Sequence, residues 1–231
     1  TNRLVGSEMC IRDSSWGSKI RQGQRAKANR QTMPATIIDG KEIAREIEAE
    51  LIGRIAELSK NGVVPCLAVV IVGDDPASHV YVGAKERACA RLGIRSVRVD
   101  IASDAEYEEV ATTVRSLNED PGINGVLVQS PLPSGMDEVS ITDLIDPKKD
   151  VDGFHAQNLG RLVQGDVSGL LPCTPAGVMR MLESTDLEIQ GKRAVVIGRS
   201  RIVGMPQSIL LAQRGVAVSY THLTLPTMIR V

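Results

Sequence analysis

Pro65-Cys66-Leu67-Ala68-Val69-Val70-Ile71-Val72-Gly73-Asp74-Asp75-Pro76 runs apolar and largely β-branched from Cys66 to Val72, then breaks into glycine, two aspartates and proline. An apolar run of this length without polar alternation reads as a strand buried on both faces, the mark of a parallel sheet, feeding a loop. Upstream, Ile43, Ile47, Leu51, Ile55 and Leu58 recur at spacings of three and four, one face of an amphipathic helix that ends near Gly62. Downstream the alternation repeats: a helix from about Ala77 to Leu92, a strand near Ile94 to Ile101, a helix near Asp104 to Glu119 and a strand from Ile123 to Gln129. A second unit follows. Its parts are a helix opening at Thr174-Pro175, with Thr174 as N-cap and Pro175 at the first helical position, and a strand Arg193 to Ile197. A helix beginning near Pro206 and an apolar triplet Val216 to Val218 complete it. The pattern is α/β, with parallel sheets covered on both faces and ligands expected at the carboxyl ends of the strands. The two units divide between Asp152 and Thr174.

Composition narrows the function classes. With 42% hydrophobic and 24% charged residues the chain buries a true core, which argues against general disorder. No window approaches the roughly 18 consecutive apolar residues of a membrane span, so no membrane partner is expected and the default location is cytoplasmic. A net charge of −1 and only 2% aromatic residues speak against nucleic acid as a partner. Cys10, Cys66, Cys89 and Cys173 lack metal-ligand or disulfide-framework spacing and read as free thiols; no metal is expected. His79, His155 and His222 are isolated and receive no role.

Four constellations carry possible chemistry. Ser78, Tyr81 and Lys85 stand at i, i+3 and i+7 and fall within about 60° of one another on a helix, just past a strand end. A lysine there suits proton transfer, and a tyrosine suits stacking on a flat ring; an ordinary solvated face is the alternative. Gln129, at the exit of Val128-Gln129-Ser130-Pro131-Leu132-Pro133, offers a neutral amide to orient the lysine or a substrate carbonyl, or else satisfies local backbone. The loop Asp146-Pro147-Lys148-Lys149-Asp150-Val151-Asp152-Gly153-Phe154-His155 matches a calcium loop poorly and reads either as turn chemistry or as one buried aspartate accepting two hydrogen bonds from a pterin-like edge. Finally, Ile197-Gly198-Arg199-Ser200-Arg201-Ile202-Val203-Gly204-Met205-Pro206 has the parts of a phosphate-binding turn without the GxGxxG pattern. Arg199 there supplies charge suited to a 2′-phosphate, favouring NADP over NAD.

In this order the blocks Ser78-x-x-Tyr81-x-x-x-Lys85, Val128-Gln129-Ser130-Pro131-Leu132-Pro133, Lys149-Asp150-Val151-Asp152-Gly153-Phe154, Pro172-Cys173-Thr174-Pro175-x-Gly177 and Gly198-Arg199-Ser200-x-Ile202-Val203-Gly204-x-Pro206 resemble the bifunctional methylenetetrahydrofolate dehydrogenase/methenyltetrahydrofolate cyclohydrolase family over roughly Pro34 to Val218. The resemblance implies an N-terminal αβα folate-binding domain with a parallel sheet plus a truncated Rossmann-type NADP-binding domain. It implies two steps on one folate: methylene- to methenyl-tetrahydrofolate with NADP, then hydrolysis to 10-formyl-tetrahydrofolate. Lys85 becomes the main proton-transfer residue, Tyr81 packs on the folate, Gln129 tunes the lysine and Asp152 holds the pterin edge. Ser78 and Pro131 join the substrate contacts, and Gly198, Arg199, Ser200, Ile202 and Gly204 line the NADP site. A homodimer is implied for the full-length form. Ser130 stands where leucine is frequent in the family, a change expected to affect only loop packing.

The ends depart from the family pattern. Residues 1–32 hold Arg3, Arg12, Lys19, Arg21, Arg25, Lys27 and Arg30 against Glu8 and Asp13, which suits a mitochondrial leader except that no apolar stripe accompanies it. Val5 to Ser14 within that leader and the tail 219–231 resemble translated adapter read-through, so both ends are expected to be foreign. The expected division is then 33–152 for the folate domain and 153–218 for the start of the nucleotide domain, with little dehydrogenase activity from so short a nucleotide domain. Two rivals stand beside this reading. One is another two-domain NADP oxidoreductase of the shikimate type, whose pattern lacks the Gln129 and Asp152 blocks; failure to bind any folate would favour it. The other is a folate-binding fragment without catalysis.

Overall fold

Burial alternates in kind along the first strand, β1 (Cys66–Val72), and that alternation sets the architecture of the sheet around it. Successive side chains of a strand point to opposite faces. Cys66, Ala68, Val70 and Val72 therefore pack on one side, with Val110, Ala111 and Val114 of α3 (Tyr107–Glu119) and with Ile141 and Ile145. Val69 and Ile71 pack on the other, with Leu127 and with Val82 of α2 (Pro76–Leu92). A strand apolar at every position is thus explained by helices on both faces.

The computed structural model describes residues 36–166 and 168–221, so the expectations for the leader and for residues 222–231 of the tail lie outside it. Helix α1 (Gly40–Lys60) precedes β1, and Asp39 caps it through the amides of Lys41 and Glu42. Strand β2 (Arg95–Ile101) lies parallel to β1 with Cys66 opposite Arg95, and β3 (Gly125–Val128) lies parallel on the other side with Leu67 opposite Gly125. The order β2-β1-β3 puts β1 at the centre. All three strands deliver their carboxyl ends to one edge. A short helix α4 (Glu138–Thr142) and α5 (Ala156–Gln164) follow.

The second sheet pairs β4 (Arg193–Ile197) with β5 (Ala217–Thr221), again parallel, around α6 (Cys173–Glu183) and α7 (Gly204–Gln213). Met179, Leu211 and Val216 form its core. The described residues from Ile38 onward form one compact unit by their contacts. The Gln213 side chain donates to the Leu162 carbonyl at 2.6 Å and ties α7 to α5. No described helix is long and apolar enough to cross a membrane.

Several boundaries differ from the sequence expectation. Helix α6 begins at Cys173, so Thr174 is not its N-cap and Pro175 is not its first residue. The Ala176 amide already bonds the Pro172 carbonyl at 3.0 Å, which makes Pro172 the cap; Pro175 still falls in the first turn, where a missing N–H costs nothing. Helix α3 starts at Tyr107, three residues after Asp104, with Glu106 as a cap that makes no side-chain bond. Ile123 and Asn124 fall between the turn at Pro121-Gly122 and β3, and the Asn124 side chain accepts from the Cys66 amide at 2.9 Å. Helix α7 starts at Gly204 rather than Pro206. Strand β5 continues past Val218, with Ser219, Tyr220 and Thr221 in register with Val195, Val196 and Ile197. Neither α4 nor α5 was anticipated, since five and nine residues carry too little periodicity to read.

Candidate active site

Helix α2 is placed by local chemistry at the carboxyl end of β1. Gly73 turns the chain with φ +87°, Asp75 caps the helix through the Ser78 amide at 2.8 Å, and Pro76 occupies its first turn. Gly93, left-handed at φ +77°, ends it. Two turns into this helix Lys85 is half-buried, and its Nζ donates to Oε1 of Gln129 at 2.8 Å. Gln129 sits where β3 ends; its own amide still donates to the Val70 carbonyl, and its Nε2 donates to the Ser130 carbonyl at 2.7 Å. With both ends of the side-chain amide engaged, the oxygen is held toward the lysine.

Asp152 completes this group. Burial raises its carboxyl above the ordinary carboxylate range, the Lys85 cation opposes that rise, and the Asp150 charge adds to it. Cys173, at the first turn of α6, shares the same surroundings. Burial pushes its thiol up, as do the Asp152 and Asp150 charges, while Lys85 pulls the other way; its Sγ donates to the Val151 carbonyl at 3.2 Å. A cation with proton-transfer capacity, a carboxyl biased toward its neutral form and a neutral thiol therefore face one place from three elements.

The remaining expected residues fall around this centre unevenly. Tyr81 is 64% exposed one turn before Lys85, its ring free to meet a flat partner. Ser78 shares the face but is 3% exposed, and its hydroxyl donates to Asp75 at 2.9 Å, which leaves it only acceptor capacity. Pro131 is exposed, after a cis peptide bond from Ser130, in the loop beyond Gln129. The three carboxylates of the acidic loop are used separately: Asp146 takes the Lys148 amide, Asp150 the amides of Gly153 and His155, and Asp152 faces Lys85. Among the described residues no group of three acidic, histidine or cysteine side chains gathers to hold a metal ion.

The turn from β4 to α7 is built for close backbone approach. Gly198 has φ +133°, and a Cβ on Gly204 would overlap the Gly198 carbonyl and stand 2.9 Å from the Arg199 amide. The Ser200 hydroxyl accepts from the amides of Val203 and Gly204 at 3.2 Å each, and its carbonyl accepts from Met205 at 3.0 Å. Those first amides of α7 are thus engaged with Ser200. What the turn offers an anion is the helix dipole with the Arg199 and Arg201 cations and the half-exposed edge of Ile202. Arg201 also reaches the first unit electrostatically, adding to the hydrogen bonds from Ser140 and Val139 that lower the Asp137 carboxyl. These features fit a phosphate-bearing cofactor.

Three residues escaped the sequence reading. Lys149 donates to the carbonyls of Asn118 at 2.6 Å and Asp120 at 2.8 Å, closing the end of α3. Asp150 and Asn158 are buried behind Asp152. The signal for Asn158 was its spacing of four from Leu162, a polar residue on the apolar side of a short helix.

Comparison with known proteins agrees with this geometry. Residues 38–152 match the tetrahydrofolate dehydrogenase/cyclohydrolase catalytic domain, and residues 172–229 match the NAD(P)-binding domain of the same family, running past Val218. The bifunctional protein FolD of Aromatoleum aromaticum is 50% identical over 190 residues, 82% of this chain and 65% of that protein. The solved FolD of Campylobacter jejuni superposes with a TM-score of 0.80 at 41% identity, covering 82% of this chain and 67% of that one. A Trypanosoma brucei FolD solved with NADP and an inhibitor gives 0.80 at 35% identity, covering 84% and 67%. This chain therefore spans about 65% of the length of the first of these relatives. With both domain models matched in order and this identity carried across two thirds of a solved relative, the chain belongs to the tetrahydrofolate dehydrogenase/cyclohydrolase family.

Proposed function

We propose that the protein to which this chain belongs carries out two consecutive reactions on one bound folate: oxidation of 5,10-methylene-tetrahydrofolate to the 5,10-methenyl form with NADP, of which this chain alone is expected to show little, and hydrolysis of that product to 10-formyl-tetrahydrofolate. The observation that carries the reading is the 2.8 Å bond from Lys85 on α2 to Gln129 at the end of β3, with Asp152 facing the same lysine. Residues 33–152 provide the folate side and residues 153–218 the start of the nucleotide side. The full-length form acts as a homodimer in the cytoplasm, and light scattering on full-length protein tests the dimer.

The methenyl carbon is already electrophilic, so hydrolysis requires oriented water and a proton carrier. Water adds its oxygen to that carbon and gives up a proton. The new hydroxyl then releases its proton to solvent as it becomes the formyl carbonyl, the bond from carbon to N5 breaks, and N5 gains a proton. Lys85 takes the first proton as the amine and delivers the last as the ammonium. Gln129 keeps the nitrogen in place between the two transfers. Asp152, at the buried side of the site, accepts from the adjacent N–H groups of the pterin edge, while Tyr81 covers the ring and Ser78 and Pro131 border it. NADP, when bound, supplies the hydride acceptor. Gly198 and Gly204 let backbone approach its phosphates, Ser200 and Ile202 shape the turn, and Arg199 meets the charge of the 2′-phosphate.

Loss of the methenyl chromophore in the presence of the purified chain, with Lys85→Met beside it, tests the assignment. Removing the proton carrier should slow hydrolysis by about 100-fold or more, with folate still bound. Near-normal hydrolysis by Lys85→Met, or no folate binding by the parent chain, would overturn it.

A further inference from the structure

Behind Asp152 lies a buried polar pair that has no step in the reaction above and belongs to no apolar core. Asp150 is 1% exposed and Asn158, on α5, is 0% exposed. The Asn158 Nδ2 donates both its protons, one to the Pro147 carbonyl and one to Oδ2 of Asp150, each at 2.9 Å. Asp150 in turn accepts from the Gly153 amide at 3.1 Å and the His155 amide at 2.8 Å. One asparagine thus ties the start of the acidic loop to its middle, and its aspartate partner ties the middle to the end. Asp152 lies inside that closed span.

The span cannot shift as a whole. Its strand side is held by the bridge between Val126 and Asp150, with the Val126 amide on the Lys149 carbonyl at 2.7 Å. On the far side Gly153 has φ +69°, and a Cβ there would come within 2.6 Å of the Pro172 nitrogen. Between these anchors the turn is folded by backbone bonds from the Lys149 and Asp150 amides to the Asp146 carbonyl and from the Gly153 amide to the Asp150 carbonyl, and the side chains of Asn158 and Asp150 add the bonds that join its start to its end.

The other end of the asparagine amide argues that its donors are the reason for the residue. Among the described residues its Oδ1 meets no partner, although the side chain is fully buried. A buried carbonyl left alone works against folding, and leucine of nearly the same shape would avoid it. Packing alone therefore does not account for asparagine here.

We propose that Asn158 is a positioning residue of the folate site, fixing through Asp150 the turn that presents Asp152 to Lys85. The inference rests on the folate reading only where turnover is measured. Held this way, Asp152 stays shielded from water while Lys85, Asp150 and Cys173 surround it.

The test uses the full chain with Asn158→Leu, which keeps the shape and removes both donors, and Asn158→Ser, a smaller side chain keeping one donor. Circular dichroism establishes that each is folded. Carboxylate carbon NMR follows Asp152, its signal assigned by its loss in Asp152→Asn. In the parent the signal titrates above the ordinary carboxylate range; in Asn158→Leu it should move down toward that range as water enters the turn, and in Asn158→Ser by less. With methenyl-tetrahydrofolate as substrate, loss of one charge-assisted hydrogen bond in the support should raise KM about tenfold, with kcat within about twofold. If Asn158→Leu does not fold, Asn158→Ser carries the same comparison. A folded variant whose Asp152 titration and KM match the parent overturns the proposal. A shifted titration in a chain that hydrolyses no methenyl-folate upholds the positioning role and removes the assigned function instead.

Discussion

Lys149 stands in the middle of the acidic block, yet its ammonium serves a helix. Nζ is 2.6 Å from the Asn118 carbonyl, 2.8 Å from that of Asp120 and 3.3 Å from that of Leu117. These are the terminal carbonyls of α3, the helix that covers one face of β1 with Val110, Ala111 and Val114. The last carbonyls of a helix have no partner of their own and form the negative end of its dipole, so a cation there is stabilising. Lys149→Met keeps the side chain's length and removes the charge and all three donors. A net hydrogen bond involving a charged group contributes about 1.5–3 kcal/mol. Two bonds are short, the third is marginal and the site is half-buried, so water regains part of the loss; the expected cost is about 2–3 kcal/mol. For a domain of this size, that lowers Tm by roughly 5–10 °C. Thermal melting by circular dichroism measures it, with Lys149→Arg expected to lie close to the parent. Hydrolysis of methenyl-folate, assayed well below both melting points, should stay within about twofold, because Lys149 points away from the Lys85 centre. A tenfold loss of hydrolysis with an unchanged Tm would refute the assignment of Lys149 to the scaffold.

Other perturbations separate stability from chemistry in further ways. Burial raises the Asp152 carboxyl, so between the ordinary carboxylate pKa and that raised value the folded state holds more protons than the unfolded state. Stability therefore falls as pH rises through that window and stays lower above it. Asp152→Asn should flatten this fall in Tm against pH and melt higher than the parent at neutral pH, while binding folate more weakly; an unchanged pH profile would contradict the buried placement. At the nucleotide turn, Gly204→Ala puts a methyl group against the Gly198 carbonyl and the Arg199 amide. It should cost about 1–3 kcal/mol of stability through overpacking and weaken NADP binding in a fluorescence titration, and parent-like affinity would show that the close approach is not needed.

Much of the α/β pattern was legible because its signals are local. The apolar run Cys66–Val72 announces burial on both faces, and the spacing of Ile43, Ile47, Leu51, Ile55 and Leu58 announces α1. Boundaries shifted where one hydrogen bond, distant in one case and local in the other, decided where an element starts. The Asn124 side chain shortens β3 by taking the Cys66 amide, and the Pro172 carbonyl starts α6 ahead of the expected threonine.

The site divides along the same line. Helical spacing alone put Tyr81 and Lys85 on one face, because 3.6 residues per turn is a property of the chain. That Lys85 meets Gln129, 44 residues away, is a consequence of the parallel pairing of β1 with β3 and of α2 packing through Val82 on the face of β1 that holds Val69 and Ile71. Spacing also put Ser78 on that face, but it could not foresee that the hydroxyl would be drawn into the Asp75 cap. The acidic loop shows the limit most clearly. Three aspartates within seven residues look equivalent in one dimension, and local spacing gives no reason for Asp150 to be buried among amides and Asp152 beside a lysine. Residue type and periodicity act over one or two turns of chain and so can be read in order. Desolvation and charge pairing depend on which distant segments arrive at the same place, and only the folded arrangement of β3, α5 and the segment before α6 sorts the three carboxylates into separate tasks.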